Sequence, residues 1–280
     1  MQDLVITGAT GGIGKALALA VPKTYRLVVV GRDVPALGGV VRELAKQGKA
    51  AEAVPGDLSS LDSARSLGER LLKSVRPGAT LVHNAGLWPS RRVLNVDGYE
   101  MSYMVNMVAP LVLQDPLLRA GVVKRIMVNA AGLMVKGRFD ADRTARGDDF
   151  SGIRTYCDTK LGQAVAMRTV AKAHPEIDVL VVHPGVVRTE LGARRGFMGW
   201  LLRQVKRRWE DPAVCGERLT RLLARERWEE QPGEARWMVE EKEEPWPAIA
   251  DWVNDAVNTA IANVRARPAR ADSESGGGGK

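Results

Sequence analysis

The chain has 280 residues, 45% of them hydrophobic, which is enough to close a sizeable core in one large α/β domain or two small ones. A net charge of +8 would suit nucleic acid, but only 5% of residues are aromatic and no nucleic-acid module signature occurs, so that class is set aside. No apolar run approaches the roughly 18 residues of a membrane span, and the first strand begins too early for a signal peptide, so a cytoplasmic protein is expected.

The first predicted strand, "DLVITG" over 3–8, runs into "TGATGGIGKALA", which opens a helix. Gly8, Gly12 and Gly14 permit a tight turn and close approach of backbone N–H groups to a pyrophosphate, which the helix N-terminus then stabilises; Thr10 and Ile13 belong to the same loop. The second strand, "YRLVVVG" over 25–31, is followed by "GRD". An acidic side chain at that place favours a ribose 2′-hydroxyl, whereas the guanidinium of Arg32 suits a 2′-phosphate; NADP (NADPH) is therefore expected, with Asp33 close enough to reach a ribose. A third strand lies within "AEAVPGDL", 51–58. Asp57, Ser59 and Ser60 then stand where a helix would start, with Leu61, Ala64, Leu67 or Leu71, and Val75 at helical spacing.

"TLVHNAG" over 80–86, "KRIMVNAA" over 124–131 and "DVLVVHPG" over 178–185 complete a set of apolar runs without alternation, separated by helical segments. Such strands are buried on both faces, so the expected fold is α/β, a doubly wound parallel sheet of Rossmann type with helices on both sides. Tyr156 and Lys160 are four apart on a predicted helix and project from one face. His83 and His183 read as packed strand residues. The two cysteines, Cys157 and Cys215, are too few for a disulfide framework and lack metal-ligand spacing, so no metal is expected.

Residues 190–212 carry Met198, Leu202, Val205 and Trp209 at helical spacing, with Arg203, Lys206 and Arg207 on other faces. One amphipathic helix is expected, packed by its apolar stripe, with a membrane surface or an acidic carrier protein as the alternative partners. The organisation read from the chain is one domain over 1–267 with a lid at about 190–212, and a polar, Gly-rich disordered tail over 268–280. A homo-oligomer is left open.

The glycine spacing TGxxxGxG, together with "GDL", "HNAG", "VNMVAP", "YCDTK" and "HPGVVRTEL" in that order over about residues 3–192, resembles the short-chain dehydrogenase/reductase family. "YCDTKL" and "VVHPGVVRTEL" look most like its retinol-dehydrogenase-like branch. The resemblance implies that Asp57 and Leu58 contact adenine, and that Asn84, Ala85 and Gly86 lie beside the cofactor. It further implies that Pro184, Gly185, Val187 and Thr189 form the loop over the nicotinamide. Asn106 would hold a water, and Lys160 would hold the nicotinamide ribose while its ammonium lowers the pKa of Tyr156, the proton donor or acceptor to a carbonyl or alcohol oxygen. The large apolar side chains of the lid suggest a bulky, lipophilic small-molecule substrate.

One residue departs from the pattern. The branch it resembles ends its fifth strand in two serines, the second of which hydrogen-bonds the substrate oxygen; Ala130 and Ala131 stand there, and the 25-residue interval from Ala131 to Tyr156, typical of that branch, argues against a shifted register. Losing one preorganised donor costs about a hundredfold to a thousandfold in rate. Ser151 and Thr155 lie in the interval as substitutes. The expected activity is an oxidoreductase; the alternatives are an NADP-binding sensor or scaffold without turnover, and a non-redox isomerase or dehydratase using Tyr156.

Overall fold

The computed structural model describes residues 1–189, 191–192 and 209–268. In chain order its elements are β1 (Gln2–Thr7), α1 (Gly12–Ala20), β2 (Tyr25–Gly31), α2 (Val34–Lys46), β3 (Ala51–Pro55), α3 (Leu61–Ser74) and β4 (Ala79–His83). There follow a single turn α4 (Met101–Tyr103), a π-helical turn (Met104–Val108), α5 (Ala109–Arg119), β5 (Val123–Asn129) and a 3-10 turn (Gly132–Lys136). The chain continues through α6 (Ala141–Arg146), α7 (Gly152–Ala173), β6 (Asp178–His183), α8 (Pro212–Leu223), β7 (Ala235–Val239), β8 (Lys242–Glu243) and α9 (Asp251–Ala266).

The strands form one sheet in the order β3-β2-β1-β4-β5-β6-β7-β8, parallel throughout except where β8 turns back on β7. The doubly wound parallel sheet expected from the apolar runs is therefore the fold. β7 and β8 were not legible as strands: "ARWMV" carries an arginine in a five-residue run and β8 is two charged residues, so neither has the continuous apolarity of the inner strands.

Alternate residues of each strand serve two cores. Leu4, Ile6, Leu27, Val29, Val82 and Met127 pack with α1, α2 and α8 on one face, whereas Val5, Val28, Leu81, Ile126, Val128 and Val181 pack with α3, α5, α7 and α9 on the other. Each fully buried aliphatic side chain contributes roughly 1.5–3 kcal/mol of transfer free energy. Short polar side chains set the helix starts. Asp33 accepts the Ala36 N–H at 2.9 Å to cap α2, and Ser60 and Ser63 close a reciprocal capping box on α3. Among the expected starters of α3, Ser60 is the cap; Asp57 instead accepts from the backbone N–H and hydroxyl of Ser59.

Sheet order reverses direction between β1 and β4, where successive connections leave on opposite sides. A crevice opens at such a switch point beyond the C-terminal strand ends. The amphipathic lid helix expected over 190–212 falls, at 190 and 193–208, outside the described residues, as does the tail from 269. No described helix is long and apolar enough to cross a membrane.

Candidate active site

The crevice is built by short polar bonds between the ends of β1, β4 and β5. The Thr7 hydroxyl accepts from the N–H groups of Asn84 (3.0 Å) and Ala85 (3.1 Å) and donates to Val82 O (3.3 Å). The Asn84 amide donates to Thr7 O (2.9 Å) and Gly8 O (3.2 Å) and accepts from Asn129 Nδ2 (2.9 Å). Gly8 (φ 68°) lies so close that a Cβ would come 2.9 Å from Ala85 Cα. Gly12 (φ 52°) meets Thr189 of the 184–189 loop, whose Cγ2 would stand 3.0 Å from a Cβ. The glycine loop, the strip Asn84–Gly86 and the loop ending at Thr189 are thus brought together.

The N-terminus of α1 has no side-chain cap and no acidic residue in its first turn, and a Cβ on Gly11 would meet nothing within 4 Å. Uncapped N–H groups behind open space are what a pyrophosphate needs, so these residues fit a dinucleotide. At the other end of the crevice Arg32 and Asp57 share a cavity of about 390 Å³ with Ser63, Ser66 and Arg70. Arg70, which donates to Pro55 O at 2.6 Å, was not legible, because a lone arginine on an amphipathic helix carries no local signal. Asp33, expected within reach of a ribose, has one carboxylate oxygen engaged in capping α2.

Glycine is required at Gly14, where a Cβ would overlap Asn84 Nδ2 and come 2.5 Å from Gly8 O. Gly14→Ala should therefore weaken dinucleotide binding by at least about tenfold and lower stability by roughly 1–3 kcal/mol, whereas Gly11→Ala should leave stability nearly unchanged. Fluorescence titration and chemical denaturation of the two variants check this; equal behaviour of both would contradict it.

Tyr156 and Lys160 lie on α7, both buried. Lys160 Nζ donates to Asn129 O (2.8 Å) and to Gln163 Oε1 (3.0 Å), and burial brings its ammonium down to about 8. A Cβ on Gly86 would be 3.7 Å from Nζ and 3.4 Å from Asn106 Oδ1, so lysine, asparagine and the strip after β4 are neighbours. Gln163, three residues after Lys160, could have been found by helical spacing. Asn106 sits in the π-helical turn and is fully buried. Its Oδ1 accepts the Leu87 N–H (2.7 Å), and its Nδ2 donates to Leu87 O (2.9 Å) and Thr159 Oγ1 (3.0 Å). The Asn106 side chain thus ties the loop after β4 to α7.

The tyrosine differs from expectation in one respect. Burial pushes the Tyr156 phenol above its ordinary value, because desolvation disfavours the phenolate, and Cys157 adds to the rise. Trp88, absent from the sequence reading, stacks on the phenol with ring centroids 5.1 Å apart and planes at 19°. An indole directly after "HNAGL" in a chain with few aromatic residues was the signal that could have found it.

Ala131 is buried and extended (φ −145°, ψ 141°) at the start of the 3-10 turn that packs on α7. Of the two hydroxyls suggested as substitutes, Thr155 Oγ1 accepts the Ser151 N–H at 3.2 Å, and the Ser151 side chain makes no cap bond to α7. His83 is a core residue sharing a 2.8 Å hydrogen bond with Gln114 Oε1, and burial, reinforced by the Lys160 charge, pushes its imidazole down to about 4. His183 lies against Gly132, where a Cβ would come 3.0 Å from its ring. Behind the loop, Arg218 donates to Pro184 O (2.9 Å) and pairs with Glu210, while Arg188 N–H donates to Glu210 O (2.9 Å); Val187 is buried beneath.

The family model described as short chain dehydrogenase matches residues 2–196. A protein of Streptomyces sp. (strain C5) named as a daunorubicin C-13 ketoreductase is 33% identical over 195 residues, covering 68% of each chain. Mouse retinol dehydrogenase 13 is 27% identical over 299 residues, covering 96% of this chain and 87% of its own; for mouse retinol dehydrogenase 14 the match is 28% and spans 63% of that protein's length. Among solved structures, an alcohol dehydrogenase from the archaeon Thermococcus sibiricus complexed with 5-hydroxy-NADP superposes with TM-score 0.62 at 22% identity, covering 88% of this chain and 100% of that one. A blue fluorescent protein from a metagenomic library, in complex with NADPH, gives 0.64 at 20% identity over 85% and 95%.

Proposed function

Because this chain belongs to the short-chain dehydrogenase/reductase family, and is accordingly an NAD(P)-dependent carbonyl/alcohol oxidoreductase, we propose that it is an NADPH-dependent reductase of a bulky, lipophilic ketone or aldehyde, with Tyr156 as the proton donor. The observation that carries the reading is the buried pair on α7: a phenol kept protonated by desolvation and an ammonium one turn away held by Asn129 and Gln163. A carbonyl reduction needs an acid beside the oxygen, and a protonated tyrosine is that acid. When bound, the nicotinamide supplies the hydride. Gly8, Thr10, Gly12, Ile13 and Gly14 would hold its pyrophosphate, Asp57 and Leu58 its adenine, and Asn84 to Gly86 with Pro184, Gly185, Val187 and Thr189 would line its nicotinamide half. Lys160 would orient the ribose and Asn106 would keep the loop after β4 in register with α7. Excluding water from Tyr156 falls to the Trp88 indole stacked on it.

The preference for NADPH rests on Arg32 and Arg70 lining one cavity at the adenosine end while Asp33 is engaged as a helix cap. The ketone named for the Streptomyces relative favours a large substrate. Titrating both cofactors tests the preference: NADPH should bind about tenfold or more tighter than NADH, and Arg32→Ala should weaken NADPH selectively. Equal affinities, or a ratio unchanged by the substitution, would refute it. The reaction itself is tested by following nicotinamide absorbance across a panel of ketones and aldehydes. A second reading, an NADP-binding sensor without turnover, draws on Ala131 alone and predicts cofactor binding with every carbonyl left unreduced.

A further inference from the structure

We propose that the indole N–H of Trp88 donates to the substrate's carbonyl oxygen, filling the role for which Ala131 has no side-chain hydroxyl. The inference rests on the reductase reading above and adds a residue to it. Trp88 Nε1 is buried and has no hydrogen-bond partner among the described residues. An unpaired buried donor costs roughly 1–3 kcal/mol, so such groups in a folded protein call for an explanation. This one belongs to the ring stacked on Tyr156, the residue that would protonate the same oxygen. Indole nitrogen is a donor only and keeps its proton at any pH the fold survives, which suits an oxygen gaining negative charge.

The ring is also held in place. A Cβ on Gly192 would come 3.0 Å from Trp88 Cε3, so the backbone after the 184–189 loop also lies against the indole. Competing groups at the strand end are engaged or turned elsewhere. Asn129 spends its amide on Asn84 and its carbonyl on Lys160, and Thr155 accepts from Ser151. His183 and Gln163 are the rival donors, since His183 Nδ1 and Gln163 Nε2 are likewise buried without a partner among the described residues, but the His183 ring packs on Gly132, Gln163 is engaged by Lys160 through its Oε1, and among the described residues Trp88 is the ring stacked on the phenol. With one donor already present, a serine at 131 adds little; with the indole N–H removed, it restores what was lost.

The test uses the whole chain and a ketone that wild type reduces under saturating NADPH. Trp88→Phe keeps an aromatic ring in the stack while removing the donor together with part of the indole, a loss of packing that Ala131→Ser would not mend; kcat should fall about a hundredfold to a thousandfold while the Kd for NADPH stays within about threefold. Ala131→Ser should change wild-type kcat by less than about threefold yet raise that of Trp88→Phe at least about tenfold, a non-additivity that a purely structural tryptophan would not produce. In unmutated protein the ¹⁵N–¹H indole resonance of Trp88, assigned by its loss in Trp88→Phe, should move when the ketone is added with NADP⁺ and stay put with NADP⁺ alone. Wild-type kcat in Trp88→Phe, a loss that serine does not recover, a resonance that ignores the ketone, or a hundredfold loss in His183→Phe instead would each overturn the donor role. Wild type failing on every carbonyl would overturn the reductase reading and the donor role with it, whereas the other failures leave that reading standing.

Discussion

Tyr156→Phe should lower kcat for carbonyl reduction by about a hundredfold to ten-thousandfold, the range for removing a general acid, and leave NADPH binding within about threefold of wild type. The substitution is nearly isosteric: the buried ring that stacks on Trp88 at 5.1 Å remains, and only the phenol oxygen goes. Stability should hold or rise slightly, since a polar group is removed from an apolar setting that raises its pKa. Stopped-flow hydride transfer and cofactor titration on the same preparation separate the two effects. Turnover surviving intact in the phenylalanine variant would eliminate Tyr156 as the acid and, with it, the mechanism.

Lys160→Met should abolish measurable turnover and also weaken NADPH binding by about tenfold or more, because in the proposed mechanism its ammonium would orient the ribose. Its effect on the fold should be small and of either sign. Held down to about 8 from an ordinary 10.5, the buried ammonium costs the folded state roughly 3 kcal/mol at neutral pH. Removing it relieves that cost but leaves Asn129 O and Gln163 Oε1 unpaired, a penalty of similar size. The sign of the pH dependence is sharper. Between pH about 8 and 10.5 the unfolded chain binds the proton that the folded chain has released, so this group makes wild-type stability rise with pH across that window. The methionine variant should lack that rise, which denaturation midpoints at pH 7 and pH 10 measure. Over the same window kcat/KM for reduction in wild type should fall as Lys160 loses its charge. A wild type whose activity is flat from pH 7 to 10 would show that the lysine's charge is not used.

The parts of this protein that local physics specifies were legible residue by residue. Unalternating apolar runs such as "LVVV" and "VLVV" are strands buried on both faces wherever they occur, so six parallel strands followed without tertiary information. The same holds for the glycine loop: Gly8 and Gly12 adopt the positive φ angles that other residues avoid, and Gly14 sits where any Cβ would collide with Asn84. Tyr156 and Lys160 share a helix face because four residues is about one turn.

What only the tertiary structure decided depends on groups distant in sequence meeting at one place, or on how deeply a group is buried. Trp88 on Tyr156, Arg70 beside Arg32 and Asp57, and Asn129 between Asn84 and Lys160 each join separate elements, and no spacing rule reaches across a sheet. The tyrosine is the sharpest case. The resemblance implied a pKa lowered by the ammonium of Lys160; the fold buries the phenol, and desolvation pushes it above its ordinary value. Sequence determined which two groups would be close; three-dimensional packing determined which of two opposing electrostatic effects prevails, because the cost of burying charge depends on every neighbour that excludes water.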